Sequence, residues 1–61
     1  MIINHDRVRL VSAIQGEVLE PGDEGTVVYV YECSRAFEVE FITSTGSKVV
    51  TVTASQIERV S

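Results

Sequence analysis

Two pairs of side chains at i, i+2 spacing have the residue types to do chemistry. Glu38 and Glu40 flank Val39, and Tyr29 and Tyr31 flank Val30. Residues two apart on a strand leave the same face of the sheet. Two carboxylates placed this way are the raw material of general acid–base catalysis. A glycosidase-type pair also needs a cleft and a set separation between the carboxyl groups, and so short a chain offers little cleft. The pair reads instead as a solvated outer face, with charges alternating against buried residues. The tyrosines carry a different chemistry, since a phenol is an apolar ring with a polar tip and suits interfaces. With Val28 and Val30 pointing inward, Tyr29 and Tyr31 point outward beside Glu38 and Glu40, with Val27 alongside. Val27, Tyr29, Tyr31, Glu38 and Glu40 then form a candidate protein-interaction face for a partner or a second copy. The plainer alternative is packing across strands.

A third constellation is acidic. Glu17, Glu20, Asp23 and Glu24 fall within nine residues that contain no base. Such a loop offers negative charge to a basic partner, or carboxylate oxygens to a hard cation such as Ca²⁺. Its spacing matches no EF-hand, and plain solubility is the simplest reading. The remaining chemistry is sparse. His5 is the one imidazole and has no partner in sequence. Cys33 lies near Arg35, which favours a thiolate, yet no His can be placed beside it. Gly22 and Gly25 lack the following helix and Lys of a phosphate-cradling loop, so Gly25 reads as a strand-entry position. One Cys and one His cannot supply a four-ligand structural zinc site. The expectation is no catalytic residue, no metal and no cofactor.

The elements that must position these residues follow from period two. Asp6–Val11 alternates Val8 and Leu10 against Arg7 and Arg9. Thr26–Tyr31 is a β-branched and aromatic run. Ala36–Ile42 puts Phe37, Val39 and Phe41 on one side, and Lys48–Thr53 is β-rich again. All four read as strands. Residues 54–60 suit a helical turn followed by a short fifth strand anchored by Ile57 and Val60. Residues 32–35 and 44–47 are hairpin-sized gaps, the second with Gly46 for a positive φ. Ser12–Gly25 is one long loop, an unusual length for a compact domain. The order predicts a single all-β domain over residues 1–61, an SH3-like five-stranded barrel whose closure removes exposed edges.

At these residues the chain resembles a known family. Asp6-Arg7-Val8-Arg9-Leu10, then Pro21-Gly22-Asp23-Glu24-Gly25-Thr26-Val27-Val28, then Phe37-Glu38-Val39-Glu40-Phe41, closing on Ala54-Ser55-Gln56-Ile57, is similar to bacterial proteins of about this length that form a domain of unknown function. The resemblance runs over about residues 5–60 and implies an SH3-like barrel but no activity. Compact proteins of this type also occur among products of mobile gene cassettes. A more distant resemblance is to the KOW-type barrels of ribosomal and elongation proteins, through the turn Gly22–Val28. In RNA-binding members that turn is basic, whereas here it is acidic and repels phosphate.

Composition bounds the function classes. The 61 residues hold nine acids and five bases, for a formal charge of −4. Residues 17–25 alone carry −4, so the acidity is local. This balance argues against binding through a phosphate backbone. A single Cys excludes an internal disulfide. No apolar run is long enough to span a membrane, and the start lacks the basic and apolar stretch of a signal peptide, so the cytoplasm is the default compartment. With no Trp, the aromatic groove of proline-peptide-binding SH3 domains is not expected. The scaling of folded surface with mass gives about 3,900 Å², the marginal regime for a chain without staples. The expectation is a non-enzymatic interaction module that forms a homo-oligomer through the tyrosine face and docks a basic protein through the acidic loop. The alternatives are a KOW-like nucleic-acid-binding barrel, or an antitoxin- or immunity-like protein that neutralises a basic enzyme.

Overall fold

The computed structural model describes residues 1–60. Five strands occur in chain order: β1 (Arg7–Leu10), β2 (Glu24–Val30), β3 (Ala36–Thr43), β4 (Gly46–Thr53) and β5 (Ile57–Arg59). Short 3₁₀ turns at Glu32–Ser34 and Ala54–Gln56 complete the inventory. The strands form one antiparallel sheet in the order β4-β3-β2-β1-β5. The all-β class, the strand positions and the turn before the last strand agree with the sequence expectation. The total surface of 4060 Å² also lies close to the size expected for a folded chain of this mass.

Alternation decides which residues form the core. Phe37, Val39 and Phe41 of β3 are buried and face Val50 and Val52 of β4. Val8 and Leu10 of β1 join them, with Leu10 opposite Ile57 of β5. One apolar cluster thus draws on all five strands, and on Leu19 from the long loop. Burying each of these side chains contributes roughly 1.5–3 kcal/mol against the entropy of ordering the chain.

The sheet must curl to make a single core. A flat five-stranded sheet separates its end strands by about 19 Å. Only Ala54–Gln56 joins β4 to β5, so Thr53 and Ile57 are at most about 14 Å apart. The two ends of the sheet therefore curve towards each other. Thr53 N–H donates to Gln56 Oε1 at 2.8 Å, the box that fixes this turn. Two backbone bonds hold it in place, Ala54 N to Arg35 O and Val11 N to Gln56 O. The expected removal of edges is not what the pairing shows. Among the described residues the hydrogen-bonded order ends at β4 and β5, and no ladder joins them.

The long loop is pinned rather than loose. Gly22 N donates to Leu10 O and Leu10 N to Asp23 O, both at 2.8 Å, which closes the loop at its base. Within it, Leu19 is buried and Ile14 packs against the core. The loop therefore serves as a lid over the apolar cluster.

Candidate functional site

The candidate face is the outer side of β2, β3 and β4, and a break in the period of β2 places its side chains. Register runs Gly25–Phe41, Thr26–Glu40 and Val27–Val39, then shifts to Tyr29–Glu38 and Val30–Phe37. Val28 is the extra residue of a β-bulge and has no opposite number on β3. A bulge adds one residue to one strand and inverts the in–out phase beyond it. Val27 and Tyr29 therefore point to opposite faces although they are two apart.

This corrects one member of the expected face. Val27 is fully buried in the core, so it does not lie beside the tyrosines. Val28, expected inside, is part-exposed at the bulge, while Val30 does turn inward against the core. Tyr29 and Tyr31 are exposed, as are two residues the sequence reading did not single out, Ile42 (78% exposed) and Val49 (53%). Both were accessible to alternation, since Ile42 follows inward Phe41 and Val49 precedes inward Val50.

Gly25 is fixed by space. A Cβ there would sit 2.7 Å from Glu40 O and from Val39 Cγ1, and 2.9 Å from Phe41 Cδ1. Its role is close approach of β2 to β3, which sharpens the strand-entry reading.

Across the face, Tyr29, Glu38 and Thr51 lie in one row from β2 to β4. The tyrosine rings meet edge to face, centroids 5.0 Å apart and planes at 80°, the arrangement their quadrupoles favour. Tyr31 Oη donates to Glu38 Oε2, and Thr51 Oγ1 donates to the same oxygen at 2.7 Å. The Tyr31 phenol is pushed above its ordinary value of 10.0, first because Glu38 accepts its proton in a hydrogen bond, then through desolvation and the charge of that carboxylate. Glu40 lies in the next row, between Thr26 and Val49. Glu38 therefore orders the tyrosines, and the two carboxylates stand on an open sheet surface rather than across a cleft.

The acidic residues have separate fates. Glu24 is the first residue of β2 and pairs with Arg7 at 3.1 Å. Glu17 reaches Lys48 of β4 at 2.5 Å. Asp23 Oδ2 accepts from Glu20 N at 3.0 Å and caps the turn at the end of the loop. Glu20 itself is exposed. Between this loop and the β3–β4 hairpin lies an open cleft of about 500 Å³, lined by Glu17, Leu19, Asp23, Phe41, Thr43 and Lys48 among others. The charges of Arg7, Arg9 and Lys48 are all in ion pairs, Arg9 with Glu58 at 2.5 Å.

The isolated residues stay isolated. His5 is exposed in a turn with φ 75°, its N–H on Val27 O. Cys33 is an exposed free thiol at φ 67°. Among the described residues, no three His, Cys, Asp or Glu side chains gather as metal ligands. No helix is long and apolar enough to cross a membrane. Residues 4–59 match a family described as a domain of unknown function (DUF4926). No curated protein and no solved structure gives a significant match.

Proposed function

The chain belongs to the DUF4926 family, and within it we propose a non-enzymatic protein-interaction module that self-associates through the outer face of β2–β4. The observation that carries this reading is the apolar area left open there. Tyr29, Tyr31, Ile42 and Val49 are all exposed on one face of a domain of 61 residues. Scattered apolar side chains are normal on a surface, but several large ones sharing one face of so small a sheet favour an interaction site. The hydrogen bonds from Tyr31 and Thr51 to Glu38 hold that face in a set shape before contact, which lowers the entropy lost on binding.

In the same reading the loop docks a basic protein. Its exposed Glu20 and the cleft beside Asp23 supply the negative surface, and salt weakens the encounter. Among the described residues, Arg7, Arg9 and Lys48 are already held by carboxylates, which favours a protein partner over a nucleic acid.

Sedimentation velocity tests the core of the proposal. The wild type sediments as an oligomer, and Tyr29→Ser with Tyr31→Ser gives a folded monomer. A wild type that stays monomeric at high concentration removes self-association from the reading.

A further inference from the structure

We propose that the partner of this chain in self-association is a second copy joined along β4, strand to strand and antiparallel. This rests on the self-association proposed above but places the contact along the edge of that face rather than across it.

β4 is one end of the hydrogen-bonded order and is eight residues long, whereas the other end, β5, has only three. All eight β4 residues pair with β3 in unbroken register from Gly46 to Thr53. Among the described residues, the β4 backbone from Ser47 to Thr53 bonds to no strand but β3. Its other edge therefore presents a row of N–H and C=O groups without strand partners, which is a template for another strand. Folded proteins usually blunt such an edge with Pro, a bulge, shortness or projecting charge. β4 has no Pro and no bulge. Its single charge, Lys48, is held by Glu17 of the same chain.

Charge favours a second copy as the occupant. Each chain carries −4, so two copies repel least where acids are few in sequence or already paired. From Ile42 to Ile57 the sequence has one base and no acid. This is the stretch that contains β4. Antiparallel pairing of a strand with itself is isologous and closes after two copies. With the two-fold axis at Val50, Val49 lies opposite Thr51 of the other copy, and Lys48 lies opposite Val52 rather than another Lys. Val49 with Thr51 is a β-branched pair of the kind that stabilises a ladder, and Lys48 with Val52 brings no like charges together. The row Tyr29–Glu38–Thr51 then runs on into the second copy, and both outer faces become one ten-stranded surface.

Backbone amide exchange, read residue by residue on the wild type at high concentration and after dilution, separates this geometry from its rivals. Edge pairing slows exchange at alternate β4 amides, those directed away from β3, by about tenfold or more in the associated state. An oligomer whose β4 amides exchange as fast as in the monomer overturns the edge proposal and leaves self-association through the tyrosine face standing. A wild type that is monomeric at every concentration overturns both. A monomer whose β4 amides become protected only when an unrelated peptide is added overturns the second copy as occupant.

Discussion

The outer face of β2–β4 and the β1–β5 side handle charge in opposite ways. Around β1 and β5, Arg7, Arg9, Glu24 and Glu58 pair with one another across neighbouring strands. These are exposed pairs, each worth about 0–1 kcal/mol. They leave a surface already satisfied by its own chain. On β2–β4, Glu38 is held by two hydroxyls, and the remaining exposed groups are mostly rings, branched aliphatics and threonines. One side is chemically closed, and the other retains apolar area and an open strand edge. In the proposed reading the net charge of −4 is therefore a poor guide to the contact surface. That reading puts the contact surface on the side whose outer face carries fewer charges.

The largest expected effect sharpens what holds the open face in shape. Gly25→Ala must push β2 away from the Glu40 carbonyl, which is backbone and cannot rotate aside. A loss of about 3 kcal/mol follows from overpacking of this kind, seen as a drop of more than about 12 °C in thermal melting. Next comes a contrast across the bulge. Val27→Ala empties part of the core and costs about 2 kcal/mol in a denaturant titration, whereas Val28→Ala costs less than about 0.5 kcal/mol. Equal losses at both positions would mean the bulge lies elsewhere.

A smaller effect concerns the phenol that organises the face. In a Tyr29→Phe variant, Tyr31 is the only tyrosine, and ultraviolet absorbance follows its ionisation alone. Its raised value puts the transition above pH 10.0, and Glu38→Gln brings it back down. The sign for stability follows from linkage. A phenol with a raised folded-state value favours folding below its unfolded value of 10.0, and that contribution is lost as pH rises through the folded value. The smallest effect is on the closed side. Glu58→Gln removes the partner of Arg9 and changes stability by less than about 1 kcal/mol, read in the same denaturant titration. A larger loss there would break the contrast between the two sides.

Most of the fold was legible because strands in a small all-β chain announce themselves by alternation. Phe37, Val39 and Phe41 fix the inner face of β3 from sequence alone, and Ile57 anchors β5 as expected. The phase of β2 was not legible. Thr26-Val27-Val28-Tyr29-Val30-Tyr31 offers three valines of equal β-propensity, and only pairing with β3 selects Val28 as the extra residue. Period two puts the tyrosines outward, as the structure has them, but it puts Val27 beside them too, because period two does not reveal a bulge. The acidic loop has a similar explanation. Its charge count is plain in the sequence, but the ion pairs of Glu17 with Lys48 and of Glu24 with Arg7 join residues far apart along the chain.

The pairing of β1 with β5 reaches beyond the sheet itself. Val60 N–H donates to Arg7 O at 2.9 Å, so the first and last strands of the folded unit lie side by side. A unit with adjoining ends can be spliced into a surface loop of another protein without stretching either. It can equally be rewired, its ends joined and a new opening made at an exposed turn.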